Sequence, residues 1–269
     1  EFIVRIEDLD ALRCPRCAAN KIIDTLAYFG LTSDREIVFQ SERAALYRQK
    51  EAILESVGLT YPCFCTRKEL HAAEAPRLSD GGVVHSGACR HLTDSERNEL
   101  SKIRRPCVRV IAPDVSIAFK DIFKGKIAQN VKEECGDFII RRSDGVYAYQ
   151  LAVAVDDGEA GVTEVIRGDD LLTSTPRQIW LMKLLGYTPP EYGHIPLVYD
   201  SKGKKLSKSE GDMITDSVKR LGKERILGAL AYSAGILDTD RAATLDELIG
   251  LYNKHKIKKD SILLSEVLI

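Results

Sequence analysis

The sequence has no surplus of charge of either sign and no long apolar run. Its 39 Lys and Arg residues against 40 Asp and Glu residues give a formal net charge of -1 over 269 residues, so any contact with nucleic acid must come from local patches. No apolar run approaches the roughly 20 residues of a membrane-spanning helix, and no signal-peptide core opens the sequence. We therefore expect a cytoplasmic protein without membrane contact.

A disulfide framework is also missing. The sequence has seven cysteines, an odd number in a chain of this length, which indicates reduced thiols or metal ligands. Its hydrophobic share of 44% and charged share of 29% are typical of a globular chain with one large core or two modest ones. This composition excludes disorder, collagen and coiled coil.

Alternating strand and helix signals predict an α/β fold. Residues 2–6 are a β-rich run followed by polar side chains, at the position where open α/β sheets place ligands. Residues 138–140 and 146–151 flank Asp144-Gly145, a turn signal that predicts a hairpin of two strands.

The pattern changes in the middle of the sequence, where a cysteine-bearing stretch precedes a run of short strand signals. We predict a Rossmann-like parallel sheet in two halves, residues 1–58 and 136–212, split by an α+β insertion at residues 59–135. Residues 213–269 are predicted to form a helical C-terminal segment.

Four potential metal ligands lie in the predicted insertion: Cys63, Cys65, His85 and Cys89. One residue separates the first two, and the others are four positions apart, so the four side chains can converge tetrahedrally on a structural Zn²⁺. Such a site would hold together a segment that is poor in apolar residues. Ordinary part-buried thiols and a surface histidine are the alternative interpretation.

A second cysteine pair competes with these ligands. Cys14 and Cys17 form a C-x-x-C sequence directly after the first acidic cluster, where Pro15 predicts a helix start. No further pair lies nearby in the sequence. We therefore favour packing or helix-start thiols over metal binding at this pair.

A lysine-rich loop follows the second half of the predicted sheet. Lys202, Lys204, Lys205 and Lys208 alternate there with small and hydroxyl residues. A positive arm of this kind is suited to hold a polyphosphate that gains charge as it reacts. A solvated run of charge is the usual alternative.

Polar residues at the predicted strand ends form a third candidate site. An arginine that follows an apolar strand, such as Arg167, can clamp a carboxylate through two parallel hydrogen bonds. A carboxylate such as Glu7 can accept hydrogen bonds from an ammonium group. With Tyr149 and the pair Asp156-Asp157, these residues could recognise an amino acid, although each could equally mark a turn.

Several short motifs stand together in an order that is more specific than any one of them. They are residues 5–10 (RIEDLD) with Arg13, 40–43 (QSER), 149–152 (YQLA), 155–157 (VDD), 165–168 (VIRG), 174–176 (STP) and 205–209 (KLSKS). In this order they resemble the glutamyl class I aminoacyl-tRNA synthetases over nearly the whole chain. The sequence is most similar to the short members of that family, which lack an anticodon-binding domain and carry a zinc site after a Tyr-x-Cys-x-Cys motif, here residues 61–65.

The resemblance implies an enzyme of the ligase type with the class I synthetase fold. It implies that L-glutamate is activated with ATP and Mg²⁺ to glutamyl-adenylate and is then transferred to the queuosine base of tRNA(Asp). Lys208 and Lys205 of the KLSKS motif would contact ATP. The short members of the family are usually monomers.

The resemblance also implies roles for the polar residues at the strand ends. Glu7, Tyr149 and Arg167 would hold the glutamate substrate. Asp10 and Arg13 would lie near the nucleoside or the tRNA end of the site.

Two features depart from the family pattern. In the family, a His-Ile-Gly-His-like stretch that binds ATP precedes the equivalent of Arg5, and none of the five histidines here has such a context. We expect that stretch upstream of this sequence, and we expect the chain by itself to form adenylate poorly. The family also usually has tyrosine where His85 stands, a change that zinc chemistry tolerates.

Two other functions remain open at this point. The chain could be the catalytic part of a glutamyl-tRNA synthetase that charges the tRNA 3′ end, because residues 243–249 resemble the stem of the longer enzymes. It could also be a non-catalytic, zinc-bearing RNA-binding module. The identity of the labelled tRNA distinguishes the first, and tRNA binding without affinity for glutamate or ATP distinguishes the second.

Overall fold

The computed structural model describes residues 1–10, 14–72, 84–85, 87–199, 205, 220–258 and 260–263, which form an α/β structure. The α-helices in these ranges are α1 (Arg16–Tyr28), α2 (Ala44–Ser56), α3 (Arg67–Ala72), α4 (Asp94–Ile103), α5 (Val131–Glu134), α6 (Tyr149–Ala160), α7 (Thr175–Leu184), α8 (Lys223–Ala234) and α9 (Leu245–Leu251). None of these helices is long and apolar enough to cross a membrane.

The strands are short and belong to several sheets. They are β1 (Arg5–Ile6), β2 (Val38–Phe39), β3 (Thr60–Cys63), β4 (Cys107–Val110), β5 (Ser116–Asp121), β6 (Gly125–Asn130), β7 (Phe138–Arg141), β8 (Glu164–Gly168), β9 (Glu191–Ile195), β10 (Val198–Tyr199) and β11 (Ile262–Leu263). Three further segments are 3-10 helices: Gln40–Arg43, Ala88–His91 and Asp169–Ser174.

The predicted α/β class is confirmed, but the sheets are mixed rather than parallel throughout. The four-stranded sheet has the order β6-β5-β9-β8, in which β5 and β8 are parallel to β9 and β6 is antiparallel to β5. Only three residues connect β5 to β6, and a parallel pairing needs a crossover of a dozen or more residues. Pairs β1-β2 and β10-β11 are parallel, whereas β3-β4-β7 is antiparallel.

Strands from the predicted insertion share sheets with strands from the flanking halves. In the four-stranded sheet, β5 and β6 come from residues 59–135, whereas β8 and β9 come from the second half. In the antiparallel sheet, β7 adds to β3 and β4 in the same way. Backbone hydrogen bonds therefore link the insertion to the second half of the chain.

The predicted hairpin around Asp144-Gly145 is half correct. The turn forms, with Gly145 in the left-handed region at φ 92° and a bridge between Arg141 and Tyr147. The predicted second strand is wrong, because α6 begins at Tyr149. Residues Leu151 to Asp157 of this helix are all buried, so the helix has no polar face and its sequence lacks the helical repeat that would have revealed it.

The main hydrophobic core lies around α6. Its fully buried members include Tyr47, Leu54, Val110, Ile140, Leu151 and Leu181. A separate small core surrounds the cysteine-bearing strand β3, with Tyr61, Cys63, Phe64 and Cys89. The predicted polar residues lie at the start of α6, which packs in this main core, and at the ends of β1 and β8. Strand β1 packs in another small core with Val4 and Ala19.

Candidate active site

Arg167 lies near the end of β8 and is held by neighbours on several sides. Its Nη1 donates to Gln178 Oε1 at 2.8 Å and its Nη2 to Thr175 Oγ1 at 2.8 Å and to the Leu171 carbonyl at 3.4 Å. Its Nε donates to His194 Nε2 at 3.1 Å. These bonds use four of the five hydrogens of a guanidinium, so this arrangement leaves one hydrogen on Nη1 for a ligand rather than the two of a bidentate clamp.

Tyr149 is the first residue of α6 and is half-buried. Burial raises the pKa of its phenol, and the negative charge of Glu7 acts in the same direction. The positive charges of Arg167 and Arg5 and a hydrogen bond from Gln178 oppose that shift. The phenol therefore lies within electrostatic reach of both predicted partners, Glu7 and Arg167.

Glu7 follows β1 and is exposed, with 42% of its side chain accessible. Its Oε1 accepts a hydrogen bond from Arg5 Nη2 at 3.2 Å. Arg5 Nη1 in turn donates to the buried carboxylate of Asp157 on α6. A carboxylate oriented in this way, and open to solvent, can accept hydrogen bonds from an ammonium group.

The pair Asp156-Asp157 connects elements and does not face a ligand. Asp156 is buried and accepts hydrogen bonds from Gln40 Nε2 at 2.8 Å, Arg43 Nε at 2.7 Å and the Tyr47 hydroxyl at 2.7 Å. These contacts attach the 40–43 segment and α2 to α6. Asp157 holds Arg5. Both carboxylates thus hold elements of the fold together, and this structural role accounts for their place in the motif.

The remaining predicted site residues are placed only in part. Lys205 Nζ donates to Asp170 Oδ2 at 2.7 Å, which positions the start of the KLSKS motif beside the 3-10 helix that follows β8. Asp10 accepts from Arg142 Nη1 at 3.1 Å. Arg13 and Lys208 lie outside the described residues.

The cysteine-bearing segment brings three of its four predicted ligands together. The sulfurs of Cys63, Cys65 and Cys89 all lie within 4.8 Å of one another, and those of Cys65 and Cys89 are 3.6 Å apart. Tetrahedral Zn–S bonds of about 2.3 Å separate two sulfurs by about 3.8 Å. The three thiols therefore fit such a metal.

The thiols of this group differ in their acidity. A hydrogen bond from Cys107 is the largest cause that lowers the pKa of Cys63, and contacts with His85 and Arg109 act in the same direction. Burial raises the pKa of Cys65. Since the thiolate is the form that binds metal, the surroundings favour the binding form more at Cys63 than at Cys65.

His85 does not belong to the group of three sulfurs. Its Nε2 lies 3.4 Å from Cys63 Sγ, while the Gly87 backbone N–H donates to its Nδ1 at 2.9 Å. A neutral ring that accepts at Nδ1 carries its hydrogen on Nε2, and it then donates to the sulfur. Ligation through Nε2 would require the other tautomer, with Tyr61, whose hydroxyl is 3.2 Å from Nδ1, as the acceptor.

The competing pair Cys14 and Cys17 is exposed and reduced at the start of α1. Neither sulfur belongs to a group of three or more ligand atoms among the described residues. The expectation of helix-start thiols is consistent with this placement.

Sequence reasoning missed the residues that hold Arg167, namely Thr175, Gln178 and His194. Thr175 belongs to a motif of the resemblance, but nothing in its local pattern relates it to Arg167. His194 is a single histidine in an apolar stretch, and its partner Asp121 is 73 positions away. A histidine in an apolar stretch was the signal that the sequence offered, but the sequence alone does not indicate what this side chain faces.

Comparison with known proteins gives a consistent family. The family described as tRNA synthetases class I (E and Q), catalytic domain, matches residues 1–232. A glutamyl-Q tRNA(Asp) synthetase of Neisseria meningitidis serogroup C is 40% identical over 263 residues, which are 97% of this chain and 88% of that protein. One of Cupriavidus metallidurans is 41% identical over 233 residues, 85% of this chain and 73% of that protein.

A solved structure has the same fold. The crystal structure of a glutamate tRNA ligase from Elizabethkingia meningosepticum, in complex with its amino acid, superposes with a TM-score of 0.77 at 26% identity. The match covers 100% of this chain and 61% of that one. This chain thus spans less than two thirds of the length of that ligase.

Proposed function

Because this chain belongs to the family of class I tRNA synthetases (E and Q), catalytic domain, we propose that it activates L-glutamate with ATP and transfers the glutamyl group to the queuosine base of tRNA(Asp). The relatives that carry this activity in their names are 40% and 41% identical to it. The observation that carries the proposal is that α6, which begins at Tyr149, is linked by hydrogen bonds to both other groups. Arg5 joins Glu7 to Asp157 of α6, and Gln178 joins Arg167 to Gln150, the neighbour of Tyr149.

These three groups suit an amino acid. The single free Nη1 hydrogen of Arg167 would donate to a carboxylate of glutamate, and the exposed carboxylate of Glu7 would accept from the ammonium group. The charges of Glu7 and Arg167 both act on the Tyr149 phenol, which can donate its hydroxyl hydrogen to a substrate oxygen. The helix that begins at Tyr149 packs in the main core through Leu151, Ala152 and Val155, which limits its movement.

The proposed reaction has two steps. A carboxylate oxygen of glutamate attacks the α-phosphorus of ATP, the bond between the α-phosphorus and its bridging oxygen breaks, and pyrophosphate leaves. A hydroxyl group of queuosine then attacks the activated carbonyl carbon, and AMP leaves with the electron pair of the broken acyl–oxygen bond. The protein contributes position and charge rather than a covalent intermediate.

The lysine-rich loop would act on the nucleotide. Lys205, close to Asp170 at the end of the site, and Lys208, in the same motif, would neutralise charge that develops on the phosphates. Mg²⁺, which would enter with ATP, would supply positive charge to the phosphates. Asp10 and Arg13 would lie towards the tRNA end.

We further propose that the cysteine-bearing segment binds one structural Zn²⁺ through Cys63, Cys65 and Cys89, with His85 as the fourth ligand. The spacing of the three sulfurs supports the thiol part of this donor set, and His85 Nε2 lies 3.4 Å from Cys63 Sγ. Zinc bound there would hold the segment around β3 in place without taking part in the reaction.

The function is tested with labelled glutamate, ATP, purified tRNA(Asp) and the chain in an amount comparable to the tRNA, because adenylate formation by this chain is expected to be slow. Label is expected in tRNA that carries queuosine and not in the same tRNA with guanine at that position. Queuosine tRNA that lacks its terminal adenosine should still accept label, because the proposed acceptor is the base. Label that requires the terminal adenosine would show instead an enzyme that charges the 3′ end, and tRNA binding without affinity for glutamate or ATP would show an RNA-binding module.

A further inference from the structure

We propose that His194, oriented by Asp121, is a positioning residue that fixes the guanidinium of Arg167 for the carboxylate of the substrate. The inference deepens the proposed function and rests on the assignment of Arg167 to glutamate. His194 itself is fully buried, so it acts through Arg167 and not by contact with the ligand.

Asp121 and His194 form a completely buried pair, with both side chains 0% accessible. His194 Nδ1 and Asp121 Oδ2 are 2.6 Å apart. The other carboxylate oxygen of Asp121 accepts from the backbone N–H groups of Phe123 at 2.9 Å and Lys124 at 2.8 Å. The carboxylate is therefore fixed by the turn between β5 and β6, and the ring by β9.

The tautomer of His194 follows from these contacts. Burial acts to raise the pKa of Asp121, but hydrogen bonds from His194 and from backbone N–H groups outweigh it, so the pKa is lowered and the carboxylate is ionised. An ionised carboxylate only accepts, so His194 Nδ1 carries the hydrogen. In the neutral ring, Nε2 then has a lone pair, which faces Arg167 Nε at 3.1 Å.

The neutral ring is also the form that the surroundings favour. Burial is the largest cause that lowers the pKa of His194, and the charge of Arg167 acts in the same direction, against Asp121 and Asp169. A protonated ring would direct an N–H at the Nε–H of Arg167. The lone pair on Nε2 therefore faces the guanidinium and also the Thr175 hydroxyl, whose oxygen is 3.1 Å away and itself accepts from Arg167 Nη2.

The guanidinium plane is fixed because two rigid acceptors hold nitrogen atoms on different sides of it. His194 takes Nε and Gln178 takes Nη1, and Gln178 is itself oriented because its Nε2 donates to Gln150 Oε1 at 3.1 Å. Gln178 and Thr175 are themselves buried. A donor that is oriented before the ligand arrives loses less entropy on binding, so the benefit should appear as affinity for glutamate.

Two substitutions at one position separate the acceptor from the rest of the ring. In His194→Gln the side-chain oxygen can reach the place of Nε2 and accept from Arg167. In His194→Asn the shorter amide can still donate to Asp121 but leaves Arg167 Nε without its acceptor. Affinity for glutamate and for ATP is measured by isothermal titration calorimetry on the full chain, with thermal unfolding as a check of folding.

We expect the Kd for glutamate to rise at least about tenfold in His194→Asn and less than about threefold in His194→Gln, since a hydrogen bond to a charged group contributes more than one between neutral groups. The Kd for ATP should stay within about twofold in both. Equal affinity of all three proteins for glutamate would overturn the inference, as would equal weakening in both variants. A parent chain without any affinity for glutamate would refute the proposed function instead.

A spectroscopic measurement covers the case in which neither variant folds. The Arg Nε–H resonance that disappears in Arg167→Lys is assigned to Arg167 by ¹⁵N NMR of the parent chain. Slow exchange of this hydrogen with water is expected, because it is bonded to a buried ring. Exchange as fast as that of exposed arginines such as Arg241, whose side chain is 46% accessible, would overturn the inference.

Discussion

Two buried carboxylates, Asp137 and Asp121, belong to hydrogen-bond networks of different kinds. Asp137, next to the cysteine-bearing segment, accepts from the Tyr61 hydroxyl at 2.6 Å, from Arg90 Nε at 2.6 Å and from the Ala112 backbone N–H at 2.9 Å. Each of these donors belongs to the protein, and the network closes on itself. Asp121 starts a chain through His194 to Arg167, which keeps one hydrogen for a ligand.

The comparison shows how one kind of residue serves stability in one place and binding in another. A closed network returns all its hydrogen bonds to the fold, so its loss should lower the free energy of unfolding. An open network directs a charged donor towards solvent at the end of a strand, so its loss should weaken a ligand first. The following predictions test this distinction, beginning with the largest expected effect.

The double substitution Cys63→Ser, Cys65→Ser should remove bound zinc completely. About one equivalent per chain is expected in the parent protein and none in the variant, because two of the sulfur ligands are lost. Metal content is measured by mass spectrometry after purification without chelators. Cys14→Ser, Cys17→Ser is the matched control and should keep its zinc; equal zinc in both double variants would contradict the proposed ligands.

The substitution Asp137→Ala should destabilise the closed network by about 3–5 kcal/mol, the usual cost of removing one partner of a buried ion pair. Urea unfolding gives the free energy of unfolding. Asp114→Ala is the control, because that carboxylate is 61% accessible where it pairs with Lys132, and exposed pairs contribute about 0–1 kcal/mol. Similar losses in the two variants would mean that the Asp137 network is not closed in solution.

The substitution Arg167→Lys should weaken glutamate binding by about 100-fold, which corresponds to about 2.7 kcal/mol. A lysine cannot keep the planar geometry that Gln178 and His194 hold. Calorimetry with glutamate measures the effect, and Arg225→Lys, on the exposed pair with Asp240, is the control. Unchanged glutamate affinity in Arg167→Lys would remove the open network from the binding site.

The stability of the open network should depend on pH in the mildly acidic range. The pKa of His194 is lowered by burial in the folded state, so the unfolded chain binds the proton more readily than the folded one. The stabilisation is complete above the unfolded pKa of about 6.5 and decreases as the pH falls towards the lower folded value. Urea unfolding between pH 8 and pH 5 should show this decrease in the parent chain. The decrease should be smaller in His194→Gln, because glutamine does not titrate.

Hydrogen bonds and burial also explain which sequence predictions succeeded. The α/β class, the turn at Asp144-Gly145 and the place of Glu7 after the first strand follow from local patterns and are present in the structure. The start of α6 at Tyr149 was not predicted, because a helix buried on all sides shows no repeat. The mixed sheet was missed because strand direction depends on how the chain returns.

The candidate site shows the same division. Motif order identified Glu7, Tyr149 and Arg167 by resemblance, and cysteine spacing singled out the three sulfurs that the fold brings together. The inward direction of Asp156 and Asp157 was not predictable from a motif that places them beside substrate residues. Gln178 and His194 were missed because their roles depend on the direction of their side chains.

The sequence by itself determined the family, the α/β class and the residue types available for chemistry, since these depend on composition, order and local periodicity. Only the tertiary structure decided that Asp121, His194 and Arg167 form one hydrogen-bonded chain, although β5, β8 and β9 carry them from distant parts of the sequence. Hydrogen bonds between strands depend on register and side-chain direction. Neither leaves a pattern in the neighbouring residues, so the fold had to bring the three side chains together before their connection could be seen.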